Sequence, residues 1–284
     1  MRLGEDLKLG SRLLVGATHI LCSSPLKRHV ALTDLNPILP SHAVIMPLSG
    51  EEHAQSLDDA AWLDMWRAVH IAQLSAEQGV GANASNLLLR DGTHAAWAGA
   101  PVHVHCVPRL PGDLERSDDI FSAMEAWLPP KVDSAGGGPP PWSLPDDADR
   151  RDRSFEEMAA EASVYREHLQ STIDPVARAF GRFSIPHEHV LYDSPSGLSQ
   201  AFVNLRPLTV GHVLVTSRRV SPRLHELSAE ERDDLWRTVR IVQAAVLQEQ
   251  SRLGSSALCE IGVQDGRHAG QSVPHVHAHI IPRG

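Results

Sequence analysis

The sequence predicts an α+β protein of two similar units in tandem, each an antiparallel sheet with one main helix. Three observations point there. The chain repeats itself at a near-constant offset, short β-rich runs flank a single amphipathic helix in each copy, and 284 residues suffice for two domains of ordinary size.

The repeat is ordered along the chain. Pro37-x4-His42-Ala-Val-Ile is answered by Pro207-x4-His212-Val-Leu-Val, and Asp64-x-Trp66-Arg-x-Val69-x-Ile71 by Asp234-x-Trp236-Arg-x-Val239-x-Ile241, both pairs 170 positions apart. Asp91-Gly-x-His94-Ala and His103-x-His105-x-x-Pro108-Arg109 are answered 174 positions on by Asp265-Gly-x-His268-Ala and His277-x-His279-x-x-Pro282-Arg283. The second copy therefore holds four more residues between its helix and the strand that follows.

In the first copy the β-rich runs are Val30–Leu35, His42–Pro47, Ser85–Arg90 and Val102–Val107. Their counterparts are Ala201–Leu205, His212–Thr216, Ala257–Val263 and His275–Ile281. One helix lies between the second and third runs. In the second copy it opens with Ser228-Ala-Glu-Glu231, a capping box that satisfies free amides, then carries Leu235, Trp236, Val239, Ile241 and Val242 at helical spacing. Between the copies, Leu128-Pro-Pro and Gly136-Gly-Gly-Pro-Pro-Pro141 read as a loop or linker, and Ser154 to Leu169 as a capped, Ala-rich helix. The domain boundaries are thus 1–128 for the first unit, 129–153 for the linker, 154–170 for a helical tail of the first unit, and 171–284 for the second.

Composition narrows the function. A chain 42% hydrophobic and 21% charged, with no uninterrupted apolar run of about 18 residues, reads as a soluble protein with a real core and no membrane span. Two acids in the first six residues and no apolar stretch there predict no leader and a cytoplasmic location. Cys22, Cys106 and Cys259, odd in number and far apart, suit reduced thiols. With 26 basic against 35 acidic residues the net charge is −9, which argues against nucleic acid and anionic membranes as partners. An anionic small substrate then needs a locally built site. The 17 histidines, against 2 Tyr and 5 Phe, are the candidates for building it.

On a strand alternate side chains share a face, so His275, His277 and His279 point one way, at intervals of roughly 7 Å. Just upstream, Gln264-Asp-Gly266 and Gly270-Gln-Ser272 form a turn-prone loop whose amides suit an anion. The residues alone leave two other readings open. The rings are structural, each with a polar partner, or two of them bind zinc with a third ligand from elsewhere. No carboxylate or Cys pair stands near these strands at ligand spacing, so no metal site is expected.

His275-Val-His-Ala-His-Ile-Ile281 resembles the histidine triad (HIT) motif, alternating His and apolar residues, of nucleotide hydrolases and transferases. Ala201-Phe-Val-Asn204-x-x-Pro207, Gly211-His-Val-Leu-Val215, Gln264-Asp-Gly266 and Gly270-Gln-x-Val273-x-His275 resemble the fragile histidine triad (Fhit) branch, which cleaves dinucleoside polyphosphates. Gly112 to Ile120 and Glu156 to Glu161 resemble the segments that follow the triad in that branch. The chain looks like two fused Fhit units, the second without that tail.

The resemblance implies a hydrolase that cuts diadenosine tri- or tetraphosphate to AMP plus ADP or ATP through a nucleotidyl-histidine intermediate. By its motif His277 is the nucleophile and His279 the phosphate-binding ring, with His212 and His275 in the supporting network. Gln264, Gly270, Gln271, Ser272 and Val273 are implied around the α-phosphate and leaving group, and Asn204 at the ribose. Phe180, Ile185, Phe202 and Leu214 are candidate walls for the base. No tightly bound cofactor is implied, and Mg2+ is expected to arrive with the polyphosphate. A transferase or phosphorylase using the same intermediate, or a nucleotide sensor with slow turnover, are the alternatives.

The first copy keeps His42, His103 and His105, but Pro101 replaces the first triad histidine, Trp97 replaces Gln271, Arg90 replaces Gln264 and Asp34 replaces Asn204. It is expected to be catalytically silent or weak, its nucleotide binding left open by Asp34, which can accept bonds from a ribose. Family members typically pair as homodimers. Fusion is therefore expected to supply the partner within one chain, as an intramolecular pseudo-dimer, monomeric in solution.

Overall fold

The computed structural model describes residues 7–9, 13–15, 17–34, 36–91, 100–127, 150–255 and 258–283. They divide into two compact units, Met1–Ser143 with Gln264–Gln271, and Leu144–Val263 with Ser272–Gly284. His94, Trp97 and most of the expected linker lie outside the described residues.

In unit 1, β1 (Leu7–Leu9) and β2 (Leu13–Val15) form a hairpin. The main sheet is β3 (Ile20–Ser23), β4 (His29–Thr33), β5 (Ala43–Pro47), β6 (Ser85–Arg90) and β7 (His103–Pro108), antiparallel throughout in the order β3-β4-β5-β7-β6. Helix α1 (Asp59–Val80) starts where the Asp58 carboxylate accepts from the Ala61 amide and stops at Gly81, whose φ of +68° suits glycine. Trp62, Met65, Trp66, Val69, Ala72 and Ala76 recur at helical spacing and are buried, and α1 packs on β4, β5 and β7. Asp64 is buried on this helix because it accepts from Ser24 Oγ (2.5 Å) and the Leu26 amide (2.8 Å), tying the helix to the β3–β4 turn. Its repeat, Asp234, accepts from Ser196 Oγ at 2.6 Å. A short helix, α2 (Asp119–Glu125), buries Ile120 and Met124 against Leu88 and Val107.

Unit 2 builds the same plan. After α3 (Phe155–Leu169) come a hairpin of β8 (Arg178–Phe180) and β9 (Phe183–Ile185), then β10 (Val190–Asp193), β11 (Ser199–Val203), β12 (Val213–Ser217), β13 (Leu258–Asp265) and β14 (His277–Arg283). The order is β10-β11-β12-β14-β13, antiparallel throughout, with α4 (Ala229–Arg252) packed on β11, β12 and β14. The expected capping boxes form at Ser228/Glu231 and Ser154/Glu157.

Two expectations are corrected. The resemblance of Glu156–Glu161 to a segment that follows the triad makes 154–170 a helical tail of the first unit, but α3 folds with the second. Its buried face, Met158, Ala162 and Tyr165, belongs to a helix packed on α4, and His168 Nε2 lies 2.9 Å from Glu249 Oε2. The last strand begins at His277 rather than His275, because the Ser272–His275 segment is a bend with Pro274 in it.

Candidate active site

His277 and His279 stand on β14, two residues apart, with ring centroids 4.9 Å from one another. His212 sits just before β12, after Gly211, whose φ is +87°. A Cβ at Gly211 would lie 2.8 Å from the Gln250 amide and 2.9 Å from the Tyr165 hydroxyl, so a side chain there would have to displace them as well as adopt a positive φ. The first copy solves the same turn with Ser41 at φ +63°.

The hydrogen bonds fix the state of each ring. The His277 Nδ1–H donates to the His275 carbonyl (2.7 Å), which leaves the Nε2 lone pair for a substrate. The Leu208 amide donates to His212 Nδ1 (3.0 Å), so His212 carries its proton on Nε2 and gives it to His279 Nδ1 at 2.9 Å. His279 then holds its own proton on Nε2. That atom is buried and has no hydrogen-bond partner among the described residues. A nucleophilic lone pair and an unused N–H donor thus sit on neighbouring rings.

His275, though off the strand, is held as firmly. Its Nε2–H donates to the Ser217 carbonyl (2.8 Å) and its Nδ1 accepts from the Gly181 amide (3.0 Å). Gly181 turns the β8–β9 hairpin at φ +56°, where a Cβ would fall 2.7 Å from Val273 Cγ1. Sequence reasoning missed this residue; its signal was the Phe180-Gly181 pair between two β-prone stretches. The same hairpin brings Phe180 edge-on to His277, at 5.1 Å and 90°. Phe180, Val190, Phe202 and Leu214 form one buried cluster with Ile185 and Val273 against it, so all four candidate wall residues come together beside the triad.

Asn204 lies half-buried next to His212, its Nδ2 3.2 Å from the ring's Nε2, and its Oδ1 accepts from the Arg206 amide at 3.0 Å. Arg153 Nε donates to the Asn204 carbonyl at 3.0 Å, a support absent from the sequence reading. Ser272 and Val273 belong to unit 2 with the triad, whereas Gln264, Gly270 and Gln271 belong to unit 1. There the Gln264 amide donates to Asp118 Oδ1 (3.3 Å), and Gly270 has φ +89°. Among the described residues no group of three or more His, Cys, Asp or Glu is arranged to hold a metal. A cavity of about 470 Å3 in unit 2, lined by Arg150, Arg153, Tyr165, Pro207, Val210 and Gln250 among others, has none of the triad in its wall.

Burial dominates the acid–base behaviour. It lowers His277 to about 4 and His212 to about 3, and holds His279 well below the ordinary imidazole value. All three are neutral at pH 7. An unfolded chain takes up these protons near pH 6.5, whereas the folded chain resists until about pH 4, so this stabilisation is complete above 6.5 and is lost as pH falls toward 4. The melting temperature is therefore expected to fall steadily between pH 6.5 and 4. A calorimetric series showing no change across that window would contradict the assignment.

The first copy retains the framework. His103 Nδ1–H donates to the Pro101 carbonyl (2.8 Å), and His42 Nε2 lies 3.0 Å from His105 Nδ1. It departs where the sequence does. Asp34 places a buried carboxylate oxygen 3.0 Å from His42 Nδ1, and Arg90 donates to the Met124 carbonyl at 3.2 Å. Trp127, absent from the sequence reading, packs on all three rings.

An antiparallel sheet backed by one helix, with a histidine chain at the strand that ends each copy, defines a histidine triad protein. The HIT domain family matches residues 24–112 and 184–284, and the chain belongs to that family. Its likeness is to the Fhit-type members. It is 49% identical over 104 residues to the nitrilase and fragile histidine triad fusion protein NitFhit of Caenorhabditis elegans, covering 37% of this chain and 22% of that protein. It is 45% identical over 105 residues to the bifunctional bis(5'-adenosyl)-triphosphatase/adenylylsulfatase FHIT of Arabidopsis thaliana, covering 37% and 55%. Against the asymmetrical bis(5'-nucleosyl)-tetraphosphatase of Schizosaccharomyces pombe it is 51% identical over 86 residues, covering 30% and 45%. The matched part is thus about half or less of each relative's length. The solved structure of a GALT-like protein from Arabidopsis thaliana shares the fold at a TM-score of 0.50 and 9% identity, over 90% of this chain and 74% of that one. No helix among the described residues is long and apolar enough to cross a membrane.

Proposed function

We propose that the chain hydrolyses dinucleoside polyphosphates, such as diadenosine tri- or tetraphosphate, at the second copy. The observation that carries this reading is the pair formed by the His277 Nε2 lone pair and the partnerless His279 Nε2–H, set by the Leu208–His212–His279 chain. Relatives named as bis(5'-adenosyl)-triphosphatases and a bis(5'-nucleosyl)-tetraphosphatase support it.

In the first step His277 Nε2 attacks the α-phosphorus. A P–N bond forms, the P–O bond to the bridging oxygen breaks, and ADP or ATP departs with the electron pair. The His279 N–H donates to a non-bridging α-oxygen, where it meets charge that grows in the transition state. Water then attacks the same phosphorus, the P–N bond breaks, AMP leaves, and the proton passes to solvent. Neutral rings suit this sequence, because a protonated His277 has no lone pair. The Phe180–Leu214 cluster takes the base, Asn204 the ribose hydroxyls, and Mg2+ comes with the substrate rather than in a protein cage. The chain is taken to act as a monomer in the cytoplasm.

Turnover of diadenosine triphosphate in 18O-enriched water tests the proposal. The expected products are AMP carrying one label on phosphorus and unlabelled ADP. Label in ADP would place the attack elsewhere, and the absence of AMP formation would refute the reading.

A further inference from the structure

In the first copy one indole of the chain packs against the retained histidines. Trp127, two residues past α2, is only 6% exposed. Its indole centroid lies 4.8 Å from that of His105, edge-on at 79°, 5.9 Å from His103 and 6.1 Å from His42. Apolar contacts complete the enclosure. Trp127 shares one buried cluster with Val30, Leu32, Val44 and Met46, with Ile20, Ile38 and Leu48 against it. By the repeat, Ile20, Leu32 and Val44 correspond to Val190, Phe202 and Leu214, three members of the cluster beside the second copy's triad. The indole thus packs in the first copy between the histidines and the residues that match the buried cluster beside the second copy's triad.

The polar surroundings set what else the pocket accepts. Asp34 stands where the second copy has neutral Asn204, with its carboxylate side chain 1% exposed and 3.0 Å from His42 Nδ1. Pro101 removes one imidazole from the network. A buried carboxylate repels a phosphate group, and its oxygens suit hydroxyl donors.

We propose that the first copy is an aromatic-ligand site occupied by Trp127, and that once vacated it takes an uncharged planar heterocycle such as a purine nucleoside in preference to a nucleotide. The indole is the resident ligand, at an effective concentration no free nucleoside matches. This accounts for a half that keeps the triad framework without serving as a second active site. The proposal concerns binding in the first copy alone and does not depend on hydrolysis by the second.

The test is Trp127→Gly in the full chain, with indole as first probe and wild type as the control for any binding at the second copy. The variant is expected to melt on the order of 10 °C lower, from the large cavity left behind. Indole at millimolar concentration is expected to restore most of that loss and to bind saturably by calorimetry, with no such restoration in wild type. Adenosine should displace the indole, and AMP should do so at least tenfold less well. Should the glycine variant not fold unaided, refolding with indole present becomes the readout, and recovery of folded chain is the expected result. Absence of indole binding beyond that of wild type, or of recovery on refolding, would overturn the proposal. AMP competing as well as adenosine would overturn its preference for an uncharged ligand.

Discussion

Replacing His277 with alanine is expected to lower kcat on diadenosine triphosphate by roughly 10^4-fold or more, with a far smaller change in KM. On the proposed mechanism the loss is large because the ring supplies the bond that divides the reaction into two displacements, and no other triad imidazole of the second copy is placed to take over. His279 Nδ1 is engaged by His212, His275 has both nitrogens bound to Ser217 and Gly181, and His212 is held between Leu208 and His279. His103→Ala, at the matching position of the first copy, is expected to leave turnover essentially unchanged. Steady-state kinetics on the three proteins check both statements. Retention of most activity in His277→Ala would refute the role assigned to this ring.

His279→Ala is expected to cost about 10^2- to 10^3-fold in kcat, the usual effect of removing one preorganised donor from developing charge. The structure adds a condition. His279 donates from Nε2 only because Leu208 and His212 fix its tautomer, so His212→Ala should lose a substantial part of the same effect through geometry rather than contact. Non-additivity in the His212/His279 double mutant is the signature of that chain. Simple multiplication of the two single losses would show that the rings act separately.

Much of the arrangement was legible in the sequence for identifiable reasons. The repeat fixed the α+β plan twice over, because Asp64 and Asp234 tie helix to hairpin in both copies and Trp66 and Trp236 fill the space beneath each helix. The histidine spacing places His277 and His279 on one strand face, and the resemblance to the histidine triad family puts His212 beside them. What escaped depended on contacts between segments distant in sequence. Gly181 reaches His275 across 94 positions, and the Phe180-Gly181 pair marks a turn without naming its distant partner. Trp127 follows a short helix and looks like ordinary core until its three histidine neighbours are seen. Helix α3 goes to the first unit on its resemblance to a segment that follows the triad, and such a likeness says nothing about which surface the apolar stripe covers. Strict alternation makes His275 look like part of a continuous strand, although Pro274 marks the bend.

Covalent chemistry is expected on His277 and nowhere else in the chain. Intact-protein mass spectrometry after brief mixing with diadenosine triphosphate, on wild type, His277→Ala and His103→Ala, tests it most directly. A transient AMP adduct is expected on wild type and His103→Ala and absent from His277→Ala. An adduct that survives in His277→Ala, or disappears in His103→Ala, would move the chemistry to the first copy and contradict the account.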